Sequence, residues 1–169
     1  MSNDHATLEV DLATEFREWS STGVELYPPD LREEIDELDR WLGPVVNQGV
    51  YRAIGTGGDS ARRRILLDEA FVMLDRRLGT SRYLLGDRLT LADLRLWVTL
   101  VRYDPPGGGI RRIGSGLAQY RNLWAYAQNL YDQEGFQLTT RLDSFAVTDE
   151  RGMPDSGSPA VRRYSSRLR

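Results

Sequence analysis

Apolar residues recur along this chain at helical spacing and almost never alternate as they would in a strand. Leu8, Leu12, Phe16 and Trp19 are spaced by 4, 4 and 3 residues, which predicts one apolar stripe on a short amphipathic helix over 6–19. Ser20 to Pro29, with Gly23 and the pair Pro28-Pro29, reads as a linker. A long helix is predicted from about Asp30, where Asp30, Glu33 and Glu34 sit at the positive end of the helix dipole. Its buried stripe is Leu31, Ile35, Leu38 and Leu42. Gly43-Pro44 kinks or ends it, and Val45, Val46 and Val50 carry the apolar spacing on to about residue 53. After a loop over Gly55 to Gly58, a further helix is expected from Ser60 to Leu78, capped by Asp59 or Ser60 and stopped by Gly79. Leu67, Phe71, Leu74 and Leu78 line its inner face. Arg62, Arg63, Arg64, Arg76 and Arg77 mark its solvated side.

The sharpest local signal is Leu89-Thr90-Leu91-Ala92-Asp93-Leu94. Thr90 is placed to accept from the Asp93 amide and Asp93 to reach back to the Thr90 amide. That is a capping box with Asp in the usual Glu position, bracketed by Leu89 and Leu94 as a hydrophobic staple. The helix it opens, about 91–103, is apolar nearly all round, as a central helix would be. Pro105-Pro106-Gly107-Gly108-Gly109 breaks the chain. Helices are predicted over 121–133, with Leu123, Tyr126, Ala127 and Leu130 inward, and over 136–145. The reading is all-α, a bundle of about six helices. It divides into a short N-terminal helix and linker (1–29), the bundle (30–146) and a disordered basic tail (147–169).

Composition narrows the chemistry. The 169 residues suit one domain. There is no cysteine, so a disulfide scaffold, a zinc-thiolate site and a thiol nucleophile are excluded within this sequence. The single histidine, His5, makes a Ser-His-Asp triad or a multi-histidine metal site improbable, and no metal or other cofactor is expected. All 22 basic residues are arginine. Residues 1–40 carry a net charge of −9 and residues 151–169 carry +4, so the two ends are suited to attract each other. The balance overall is −3, unlike the strongly basic domain of a nucleic-acid binder. No segment reaches the roughly 20 apolar residues of a membrane span, and no signal peptide is evident; a cytoplasmic location is expected.

Tyr83-Leu84-Leu85-Gly86-Asp87-Arg88-Leu89-Thr90-Leu91-Ala92-Asp93 resembles the signature of the glutathione transferase C-terminal helical domain: a tight turn, then the threonine–aspartate cap of the central helix. Three further segments are Leu26-Tyr27-Pro28 through Leu31-Arg32-Glu33-Glu34-Ile35-Asp36, Val46-Asn47-Gln48-Gly49-Val50-Tyr51-Arg52, and Leu100-Val101-Arg102-Tyr103-Asp104. With Arg95 and Asn122-Leu123-Trp124, they narrow the resemblance to the glutathionyl-hydroquinone reductases, the Xi class, over roughly residues 10–133. The resemblance implies an N-terminal thioredoxin-like domain that binds glutathione and supplies a cysteine. This sequence begins where that domain would be ending, and Ser2-Asn3-Asp4-His5 resembles a worn remnant of the segment that holds the γ-glutamyl end of glutathione. The expectation is therefore a helical half that neither runs the thiol step nor binds glutathione measurably. Pro105 to Gly109 stands where the family carries a tyrosine and histidines of the quinone site. Of the hydroquinone-facing tyrosines, only Tyr51 carries over by motif.

The candidate ligand-binding residues are Tyr51, Arg52, Trp97, Arg102 and Tyr103, with Tyr51, Arg102 and Tyr103 as candidate acid-base or oxyanion groups. Thr90 and Asp93 are assigned to the structural cap. Core packing is the competing reading for Trp97, and a helix-boundary position for Tyr51. The leading expectation is a binding domain for an aromatic or quinone-like small molecule. The alternatives are a cofactor-independent isomerase, cyclase or dehydratase acting on an aromatic substrate, a protein-interaction module, and the helical half of a split reductase. Apolar surface left by a missing thioredoxin-like half implies a homodimer or a partner protein, or Leu8, Leu12, Phe16 and Trp19 folded over it as a lid.

Overall fold

A computed structural model describes residues 5–20, 23–53, 58–103 and 116–141. Its helices are α1 (His5–Thr14), α2 (Arg32–Leu42), α3 (Gln48–Ala53), α4 (Gly58–Leu78), α5 (Leu91–Tyr103), α6 (Arg121–Tyr131) and α7 (Glu134–Thr139). Among the described residues there is no strand, only the isolated bridges Tyr83 with Gly86 and Leu85 with Arg88. The Pro105–Gly109 break, residues 142–145 of the last predicted helix and the basic tail lie outside the described residues.

Pro44 shapes the first long rod. It lacks an N–H, and its ring crowds the carbonyl four residues earlier. The backbone widens into a π-helical turn over Gly43–Asn47, where the Gln48 amide donates to the Gly43 carbonyl five residues back. The helix thus continues from α2 into α3 rather than ending, so the described residues form six rods.

At the centre lies α5. Leu96 and Leu100 on it are fully buried, as are Val46 and Val50 from the first rod, Phe71 from α4, and Leu123 and Leu130 from α6. Each such aliphatic side chain contributes about 1.5–3 kcal/mol by leaving water. Phe71 meets Tyr103 and Tyr120 edge-on, with ring centroids 5.0 and 5.4 Å away. Ahead of α5, the Tyr83 amide donates to the Gly86 carbonyl at 2.8 Å, and Gly86 has φ +86°, which an L side chain resists.

Several expectations change. The first helix ends at Thr14, and a 3-10 turn covers Arg17–Trp19. Its stripe does not fold over the bundle: Leu8, Leu12, Phe16 and Trp19 are all exposed, Trp19 at 76%. The side of α1 that meets the bundle is the one carrying Glu9, which pairs with Arg95, with Val10 and Ala13 half-buried beside it. Asp59 and Ser60 lie within the first turn of α4 rather than before it, and Asp59 accepts from Arg63 one turn on, at 2.6 Å. At the other end, α6 stops at Tyr131 and α7 runs only from Glu134 to Thr139.

Candidate functional site

Only the Asp93-to-Thr90 half of the expected capping box forms, and it is part of a larger network. The Thr90 amide donates to Asp93 Oδ2 at 2.9 Å and the Thr90 hydroxyl donates to the same oxygen at 3.1 Å. The Thr90 hydroxyl is thus turned to the carboxylate, and the Asp93 amide bonds the Thr90 carbonyl, at 3.1 Å. Asp93 Oδ1 accepts from the Leu84 amide at 2.9 Å and from the Tyr126 phenol at 2.8 Å. Asp93 is fully buried. Burial pushes its carboxyl above the ordinary 3.8, against the four donors, which favour the ionised form. Burial, with the Asp93 charge second, drives the Tyr126 phenol well upward.

A raised folded value means that the folded chain binds this proton more readily than the unfolded chain does. Stability from Asp93 therefore falls as pH climbs through the window from 3.8 to the raised value, and is regained on acidification. The Thr90 and Tyr126 hydroxyls can rotate to accept from the protonated acid. The stability difference between wild type and Asp93→Asn should accordingly grow in favour of wild type from pH 7 to pH 4. Urea titrations of both proteins at each pH check this, and a shrinking difference contradicts it.

Next to this network, one flank of α5 opens into a groove of about 540 Å³. Leu91, Leu94, Trp97 and Val98 form its floor, Leu26 comes from the linker, and Phe136 from α7 closes one side. The Leu91 amide donates to the Leu26 carbonyl at 2.8 Å, which holds the linker against the helix start. Trp97 is 5% exposed, packs edge-on against Phe136 at 5.5 Å and stacks on Tyr131 at 6.2 Å. It serves both core and groove. Val98 is half-exposed on the groove side.

The groove carries one buried cation. Arg95 Nε donates to Glu9 of α1 at 2.6 Å, and its guanidinium pairs with Asp39 of α2 at 2.9 Å. Its backbone carbonyl accepts from Asn47 in the π-helical turn at 3.1 Å, while the Asn47 side-chain oxygen is buried without a protein partner. A second cleft, about 520 Å³, lies between α2 and α4, with Trp41 and Met73 among its walls.

Of the five candidate residues, Trp97 alone lines either of these two cavities. Trp97 lines the groove described above. Tyr103 is 2% exposed and packed on Phe71, so its ring belongs to the core between α4 and α5 rather than to a cleft wall. Tyr51 is 58% exposed, and Arg52 reaches only to Gln48 one turn back, at 2.8 Å. Arg102 is exposed at the end of α5. Tyr51, Arg52, Arg102 and Tyr103 line neither the groove nor the second cleft. Sequence reasoning passed over Arg95, Val98 and Phe136. The available signal was a single arginine interrupting the apolar run from Leu94 to Val101. Among the described residues no cluster of His, Cys, Asp or Glu is arranged to hold a metal ion, and no helix is long and apolar enough to cross a membrane.

A central helix opened by a threonine–aspartate clasp, with helical rods packed around it, defines a class. Residues 59–129 match the family model of the glutathione S-transferase C-terminal domain, and the bundle has the fold of such a helical domain. The chain is similar to the glutathionyl-hydroquinone reductases. It is 34% identical over 146 residues to glutathionyl-hydroquinone reductase YqjG of Escherichia coli, covering 85% of this chain and 44% of that protein. Among solved structures, a glutathione transferase from Gordonia bronchialis superposes with a TM-score of 0.76 at 36% identity, over 82% of this chain and 44% of that one. A Xi class transferase from Natrialba magadii gives 0.77 at 29% identity, over 92% and 48%. The chain spans about half the length of the curated relatives it matches.

Proposed function

We propose that this chain is a glutathione-transferase-type helical domain that binds an aromatic or quinone-like small molecule along the Trp97 flank of α5, without thiol redox chemistry of its own. The observation that supports this reading is the groove: about 540 Å³, within the range of small-molecule sites, with a mostly apolar floor and aromatic rings at one side. The similarity to hydroquinone reductases points to the same ligand class. The sequence has no cysteine, so a thiolate step requires a sulfur from elsewhere. The homodimer or partner protein expected from the sequence would use the exposed stripe of α1 rather than the groove.

The test is calorimetric titration of the full chain with 1,4-naphthoquinone, which has no thiol here to alkylate. Saturable one-to-one binding is expected. Val98→Asp, at a half-exposed position, places a charge on the groove floor and should weaken binding at least tenfold with the fold, checked by circular dichroism, unchanged. Absence of saturable binding, or equal binding by folded Val98→Asp, would falsify the assignment.

A further inference from the structure

A guanidinium as enclosed as that of Arg95, 9% exposed, needs anionic partners to offset its lost hydration. It has two, from separate elements. Asp39 belongs to the first long rod and is 29% exposed. Glu9 is 39% exposed and belongs to α1, a helix that touches the bundle sparsely and turns Leu8 and Leu12 to solvent. The Glu9 carboxylate stands among the groove's lining groups, bonded to Arg95, while of the apolar side chains of α1 that the structure describes only Val10 and Ala13 are half-buried and none lines the groove. A carboxylate from solution, attached to an aromatic body, satisfies Arg95 equally well. It also buries that body against Trp97 and Phe136, which Glu9 does not do.

We propose that the groove's ligand is an aromatic carboxylate, whose acid group takes the place of Glu9 on Arg95 and whose ring lies against Trp97 and Phe136. Glu9 is then an internal stand-in, and α1 detaches when the ligand enters. Asp39 stays, so the charge around Arg95 is the same before and after. This rests on the aromatic-ligand reading of the groove and adds the charge of the ligand and the residue that reads it.

The test compares 2-naphthoate with the neutral 2-naphthamide by calorimetry on the full chain, as wild type, Glu9→Gln and Val98→Asp, each checked for folding by circular dichroism. Naphthoate should bind wild type about tenfold more tightly than the amide, and Glu9→Gln should tighten naphthoate about tenfold further while leaving the amide unchanged. Hydrogen exchange of amides 8–14 should quicken when wild type is saturated with naphthoate. Equal binding of acid and amide, unmoved by Glu9→Gln, overturns the carboxylate proposal and leaves the aromatic groove standing. A naphthoate preference indifferent to Val98→Asp overturns it as well, because the anion then binds elsewhere. If neither probe binds, both readings fall.

Discussion

Asp93→Ala is expected to cost about 3–5 kcal/mol of unfolding free energy at neutral pH. The change strips acceptors from four donors at once: the Leu84 and Thr90 amides and the Thr90 and Tyr126 hydroxyls. Thr90 and Asp93 are fully buried and Tyr126 is 5% exposed, so water cannot readily replace the carboxylate, and each orphaned buried donor costs about 1–3 kcal/mol. The hydroxyls can turn to other partners, but the two amides cannot. A negative charge in the first turn of α5 also complements the helix dipole. Asp93→Asn should cost nearly as much, because its amide group turns one acceptor into a donor facing donors. Thr90→Ala should cost about 1 kcal/mol, since the main-chain bonds survive it. Equilibrium urea unfolding measures all three. A loss below 1 kcal/mol for Asp93→Ala would show that the network relaxes onto other acceptors.

What could be read in advance depended on how far apart the interacting residues lie in the chain. The Thr90–Asp93 clasp was legible because both ends lie within one helical turn, but its other partners are 9 and 33 residues away from Asp93. Tyr126 was read correctly as inward-facing, while the reason it is a tyrosine lies across the bundle on α5. The stripe Leu8-Leu12-Phe16-Trp19 shows the limit of periodicity. Spacing reports that an apolar face exists and does not report that anything covers it. A disturbance at Pro44 was legible from the chemistry of proline, but not its form, a π-helical turn through which the helix continues. Among candidate ligand groups, Trp97 was legible as half core and half cleft. Tyr103 was not, because an aromatic near a helix end looks the same whether it meets solvent, ligand or, as here, Phe71 from α4. Arg95 was visible as an interruption, but its acids lie 86 and 56 positions away.

Asp75→Ala should lower stability by about 2–4 kcal/mol, although Asp75 sits within α4, where sequence alone gives it no cap to make. Tyr120, at the N-cap position of α6, makes no side-chain cap bond. Asp75 supplies the cap from the neighbouring helix: Oδ1 accepts from the Asn122 and Leu123 amides at 2.7 and 2.9 Å, and Oδ2 from the Asn122 side chain at 3.2 Å. The Asn122 side chain also bonds the Asp75 carbonyl, at 3.1 Å. Gly79 leaves room for this approach: an added Cβ would stand 3.0 Å from the Asn122 side-chain nitrogen Nδ2 and 3.2 Å from the Arg76 carbonyl, so a neighbour would have to shift. Asp75→Asn keeps one acceptor and should lose about half as much. Hydrogen exchange at the Asn122 and Leu123 amides should accelerate in Asp75→Ala, and unchanged protection there would show that the cap is not what Asp75 provides. The same helix carries Tyr126 to Asp93, so α6 is held by one carboxylate from α4 at its start and by another from α5 one turn on. Freeing either end loosens the segment that the other grips. The double variant Asp75→Ala/Asp93→Ala should therefore lose less than the sum of the two single losses, because the second substitution acts on a helix that the first has already released.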